Sequence, residues 1–271
     1  MAGPARQKIP PRARESGAHR LEEILAQGPD TVAAVIGEPV SVSNSNHVPS
    51  PRYWQRVRAI CDAHGVLLIM DEVINGFGRT GTTFATEQFG VVPDLMTMAK
   101  GLSSGYAPIA AVAVGRQLFD EFKKQDVALA HLLTFGGQAV SCAAALKNIE
   151  ILQREELPQR SARQGKYLLD RLEQLRAHPT VGDVRGLGLM CAVELVKDKE
   201  TKEPFGWGPA AASHPFSRRV AELMEERGLL SRAFMSIQLC PPLVISKEEI
   251  DEMVAIVDES LLVAEREFDF A

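Results

Sequence analysis

The chain has 271 residues, 45% of them apolar and 24% charged, with a formal net charge of −5. That length builds one large domain or two modest ones. The charge offers no basic surplus for nucleic acid, and no apolar run is long enough to span a membrane. The four cysteines, Cys61, Cys142, Cys191 and Cys240, are widely spaced and form no CxxC pair. They read as buried thiols of a reducing, cytoplasmic compartment, with no metal site implied.

Residues 1–19, opening "MAGPARQKIPPRARESGA", are basic, proline-containing and poor in large apolar groups, which reads as a disordered arm. Glu15 and the prolines argue against an amphipathic presequence. From residue 20 strand and helix signals alternate. "LEEILAQ" suggests a short helix, and "TVAAVIGEPV" a β-branched strand run ending at Pro39. "SPRYWQRVRAICDAHG" places Trp54, Val57 and Ile60 at helical spacing and stops at Gly65, as a helix C-terminus does. "VLLIM" is continuous and apolar, the pattern of a strand buried on both faces. "LMTMA" and "IAAVAVG" follow at similar spacing, so parallel βα units are expected. A long helix starts near Gly137 and runs through "SCAAALKNIEILQ". After Pro158, "SARQGKYLLDRLEQLRAH" is amphipathic. Beyond Pro179, "VGDVRGLGLMCAVELV" and "SIQLCPPLVI" alternate with "HPFSRRVAELMEERG" and "SKEEIDEMVAIVDESLLVAERE". The last of these opens on a capping box, Ser246 with Glu249. The expected fold class is α/β: a mostly parallel sheet with flanking helices over residues 20–157, then a smaller α+β domain over 158–271.

In open parallel sheets, ligands lie beyond the carboxyl ends of the strands. "LLIMDEVINGFGRTG" puts Asp71 and Glu72 directly behind a buried strand, where an unpartnered charge is costly. "PDLMTMAKGLSSGYAP" puts Lys100 behind another strand, so the acid and the amine belong to one sheet edge. From these two residues alone, a structural salt bridge and a functional pair are equally open.

The stretches "DEVINGFGRTG", "GVVPDLMTMAKGLSSGYAPIAAV", "TFGGQAVSCAAAL", "VRGLGLMCAVELV" and "LCPPLVISKEEID" occur in this order. Together they closely resemble the class III (ω-type) aminotransferases, pyridoxal-phosphate enzymes of fold type I. The resemblance runs from about Leu21 to the final helix. It implies transamination, in which an amine or amino acid gives its nitrogen to pyridoxal 5'-phosphate and a keto acid such as pyruvate collects it. It implies that Asp71 hydrogen-bonds the protonated pyridine nitrogen, keeping the ring an electron sink, and that Val73 packs on one ring face. Lys100 matches the Schiff-base lysine, which also shuttles the substrate proton; the small residues around "AKG" leave room for a bulky ligand. Thr134 matches a threonine that binds the cofactor phosphate across the interface of a homodimer, although Gln138 and Ala139 stand where many relatives have His-Pro. Arg232 aligns with an arginine that clamps a substrate carboxylate. Glu38 in "GEPV" matches a glutamate near the active site that orients its loop. The "GFGRTG" loop, with Arg79, reads as structural, its glycines suiting a tight turn rather than a phosphate cradle.

Members of that family carry a further, roughly domain-sized N-terminal portion, holding the Ser-Gly-rich phosphate loop and the aromatic residue that stacks on the pyridine ring. Here "LSSGY" lies on the wrong side of Lys100, and Tyr53 opens no comparable stretch. The chain therefore resembles the C-terminal part of such an enzyme. The alternative expectation is a catalytically incomplete fragment that acts only as a binding or dimerisation partner.

Overall fold

In the computed structural model, which describes residues 11–125, 127–206 and 213–270, the first sheet is built from β1 (Ala34–Gly37), β2 (Leu67–Asp71), β3 (Leu95–Met98) and β4 (Ala111–Val114), side by side in that order. β1, β2 and β3 are parallel, with Asp71 level with Thr97 across the β2–β3 pair. β4 runs antiparallel to β3, where a parallel unit was expected. The connection explains the difference. It holds only the 3-10 turn Lys100–Leu102, too little structure to carry the chain back across the sheet for a parallel return.

Helix α1 (Pro11–Gln27) packs against α2 (Pro51–His64). It begins well before the short helix expected at 21–27, so residues 11–19 of the anticipated arm are helical; residues 1–10 lie outside the described residues. The spacing of Ala18, Leu21 and Leu25 accounts for this extension, since all three join the core formed with Tyr53, Trp54 and Val57. α2 ends at Gly65, whose φ of 65° closes the helix as its sequence suggests. Trp54 donates its indole N–H to the carbonyl of Pro39, 2.9 Å away, pinning the end of β1 to the helix. One face of β2 is fully buried through Leu68 and Met70, whereas Leu67, Ile69 and Asp71 on the other face are only partly covered. That corrects the expectation of a strand buried on both faces.

After the one-turn helix α3 (Thr86–Phe89) and the exposed α4 (Arg116–Lys124), α5 (Ala139–Arg154) and α6 (Leu157–Leu172) lead into the second sheet. Gln138 caps α5, its side-chain oxygen accepting from the Ser141 N–H at 2.7 Å. The second sheet is wholly antiparallel. It orders β5 (Val181–Gly186), β6 (Cys191–Asp198), β9 (Ser236–Leu239) and β8 (Arg232–Ala233), with β7 (Glu203–Pro204) paired to β6. α6, α7 (Pro215–Glu226) and α8 (Lys247–Glu267) cover it, and α8 opens on the expected Ser246–Glu249 capping box. Leu168, Leu172, Phe216, Ile237 and Leu261 are completely buried in this core, and such side chains stabilise by roughly 1.5–3 kcal/mol each.

Candidate active site

Asp71 closes β2, and Lys100 follows β3 immediately beyond Ala99, so two adjacent parallel strands deliver an acid and an amine to the same edge. The Oδ1 atom of Asp71 accepts from the Val73 N–H at 3.0 Å and from the Thr97 hydroxyl at 3.1 Å. Among the described residues no hydrogen bond reaches Oδ2, and no ion pair joins Asp71 to Lys100. The structural salt bridge left open by the sequence does not form. Glu72, the other acid of the pair, is fully buried and turns away from this edge. Its carboxylate accepts from the N–H groups of Thr86 at 2.8 Å and Ala85 at 3.0 Å. Burial pushes its pKa above the ordinary carboxylate value, while these donors act in the opposite direction.

Lys100 is exposed and sits at φ +39°, a left-handed conformation uncommon outside glycine. The turn that carries it is held from α5. Asn148 donates its amide to the carbonyls of Gly101 at 2.8 Å and Leu102 at 3.1 Å, and Ser104 donates to Asn148 Oδ1 at 2.8 Å. The glycine after Lys100 is closely packed: a Cβ at Gly101 would stand 3.0 Å from Cβ of Phe77. A second clasp joins the loops after β1 and β2. Asn75 accepts from the Val40 N–H at 3.0 Å and donates back to its carbonyl at 3.1 Å. Thr97, Asn148 and Asn75 were not singled out in the sequence. Only Thr97 carried a usable signal, as the residue of "LMTMAK" on the Lys100 strand with a side chain able to bond an acid on the neighbouring strand.

The remaining expected residues are distributed as follows. Val73 is partly buried beside Asp71. Glu38 accepts from the Val42 N–H at 3.1 Å and the Ser43 hydroxyl at 3.2 Å, so it does orient its own loop. Arg79 donates to the carbonyls of Leu189 at 2.9 Å and Pro241 at 2.6 Å, consistent with the structural reading of "GFGRTG". Thr134 lies on an exposed turn just ahead of α5, and Arg232 is exposed on the edge strand β8. Neither makes a hydrogen bond or ion pair with Asp71 or Lys100 among the described residues. The cysteines are all free, but only Cys61 and Cys191 are buried; Cys142 is partly buried and Cys240 is exposed. Burial pushes the Cys191 thiol up to about 12. Among the described residues no group of three or more His, Cys, Asp or Glu could hold a metal ion, and no helix is long and apolar enough to cross a membrane.

Two cavities lie elsewhere, one of about 540 Å³ beside β9 and the start of α8, the other of about 710 Å³ over β1 and α2. Neither is lined by Asp71 or Lys100.

Comparison with known proteins places this edge in context. The sequence profile of the class III aminotransferases matches residues 2–261. The taurine–pyruvate aminotransferase of Bilophila wadsworthia is 41% identical over 261 residues, covering 93% of this chain and 57% of that protein. The putrescine–pyruvate aminotransferase of Pseudomonas aeruginosa is 39% identical, covering 90% of this chain and 53% of that protein. Among solved structures, an amine transaminase from an uncultivated Pseudomonas species, crystallised in its PLP-bound form, superposes with a TM-score of 0.87 at 36% identity. That match covers 94% of this chain and 58% of the other. The chain belongs to the class III aminotransferase family, and its fold is that of the fold type I transaminases. It spans little more than half the length of these relatives.

Proposed function

We propose that this chain binds pyridoxal 5'-phosphate at the Asp71–Lys100 edge and takes part in transamination between an amine or amino acid and a keto acid such as pyruvate. The observation that carries the proposal is an acid and an amine on adjacent parallel strand ends, unpaired with each other, with Asp71 held through one oxygen only. The residues fit the cofactor. Asp71 would offer Oδ2 to the ring nitrogen, Val73 would cover a ring face, and Lys100 would hold the cofactor through its amine. Thr134 would meet the phosphate, and Arg232 a substrate carboxylate. When bound, the cofactor supplies an electron sink for the carbanion formed at the substrate Cα. The Lys100 amine, once displaced by substrate, would take the proton from the substrate Cα and deliver it to C4′ of the cofactor. The pyruvate-linked names of both relatives support a keto acid as acceptor. The same reading includes a cytoplasmic homodimer and a division of the chain near residue 157. Exposed Leu129, Leu132, Leu133 and Phe135 around Thr134 support a partner on that face.

The test is spectroscopic. Wild-type chain mixed with pyridoxal 5'-phosphate is expected to develop a near-visible band that borohydride fixes covalently, and Lys100→Ala to lose it. A wild type that stays colourless overturns the proposal. Amine-dependent turnover of pyruvate would separate catalysis from the alternative of a binding-only chain.

A further inference from the structure

We infer that Thr97 is a positioning residue for Asp71, fixing the plane of its carboxylate so that Oδ2 is the oxygen presented at the edge. The inference rests on the proposed function above and adds to it a residue on the strand that also leads to Lys100.

Asp71 and Thr97 are direct partners in the parallel β2–β3 register, so their side chains emerge on the same face of the sheet. The backbone locks this pairing, because the Glu72 N–H donates to the Thr97 carbonyl at 3.0 Å. The terminal torsion of an aspartate is broad, and a single donor would leave its carboxylate free to swing. Here two donors meet on Oδ1 from independent sources: the Val73 N–H at 3.0 Å, within the same turn, and the Thr97 hydroxyl at 3.1 Å, from the next strand. Threonine suits the task because its branched side chain is stiff at χ1. A valine would keep that shape and lose the donor. Since Thr97 lies one helical turn's worth of sequence before Lys100 on the same segment, β3 sets the position of the amine and the aim of the acid together. Cofactor nitrogen and cofactor linkage would thus be registered to one strand.

The experiment compares wild type, Thr97→Val and Thr97→Ser. Each is titrated with pyridoxal 5'-phosphate, and the bound cofactor is observed by 15N NMR with the label at its ring nitrogen. Thr97→Val is expected to weaken cofactor binding about three- to tenfold, less than the full worth of a hydrogen bond to a charged acceptor because that bond is already made without cofactor. It should also move the ring-nitrogen resonance toward that of the unprotonated free cofactor, and Thr97→Ser should restore both. If Thr97→Val does not fold, Thr97→Ala carries the same comparison. Binding and resonance unchanged in the valine variant overturn this inference and leave the proposed function intact. Weaker binding with the resonance unmoved also overturns it, since a merely structural role would produce that. A wild type that takes up no cofactor overturns both.

Discussion

Asp71 and Glu72 are adjacent carboxylates with opposite settings. Asp71 ends a strand at an open edge, with one oxygen committed to two donors. Glu72 is sealed inside and satisfied by the backbone of residues 85 and 86. Replacing Glu72 by Gln turns one of its two acceptors into a donor that faces an N–H. The expected cost is about 1–3 kcal/mol, measured as a lower urea midpoint with an unchanged slope. At this scale the sequence located the two candidate residues and missed the groups that support them. Asp71 and Lys100 could be placed because each follows an apolar strand run. The donors to Glu72 could not, because Ala85 and Thr86 return from a glycine-rich turn whose course no periodicity encodes. Asn148 was hidden for a similar reason: a polar residue in a helix reveals nothing of the turn it faces.

Among the elements, the last helix is tied to the start of the second sheet by a partly buried ion cluster. His178, between the 3-10 turn Glu173–Ala177 and β5, places Nδ1 2.8 Å from Glu265 and Nε2 2.9 Å from Asp258, both carboxylates on α8. Thr180 donates its hydroxyl to Glu265 at 2.5 Å, and Lys199 donates to the His178 carbonyl at 3.1 Å. Burial opposes charging His178, but the two carboxylates prevail and raise its pKa above 6.5; His178 and Thr180 hold Glu265 below 4.5 against the same burial. The signs follow from linkage. The contribution of His178 is complete below about 6.5 and is lost as pH rises through its raised value. That of Glu265 is complete above about 4.5 and is lost as pH falls through its lowered value. The stability gap between wild type and His178→Gln, followed by urea unfolding across pH, is therefore expected to be widest between about 4.5 and 6.5. The helices and the capping box of α8 were legible in the sequence because spacing and caps are local. The antiparallel β4 and the early start of α1 were not, since the first depends on a connection that forms no crossover helix and the second on a partner helix.

Over the whole molecule, the two sheets are stitched through glycines and one arginine. α6 meets the β5–β6 turn so closely that a Cβ at Gly165 would lie 2.1 Å from the carbonyl carbon of Gly188, and one at Gly188 would strike the backbone of Thr80. Backbone cannot yield there as a flexible side chain can. Gly165→Ala is expected to cost about 3 kcal/mol, on the order of 5–10 °C in melting temperature by circular dichroism. The fold class and the family were readable from five stretches in order, but this contact was not: the glycines of "GFGRTG" and "RGLGL" look like separate turns, and that of "RQGKY" like an ordinary helix position, until the chain folds them together. Ser161 completes the joint, donating to the Arg79 carbonyl at 3.0 Å and accepting from the Leu189 N–H at 3.2 Å. Arg79 itself grips the carbonyls of Leu189 and Pro241 on the second sheet, yet it belongs to the short turn that starts at Asp71. One short segment thereby closes a strand of the first sheet at Asp71 and anchors the connections of the second at Arg79, so the acid and the joint between the sheets share a single stretch of backbone.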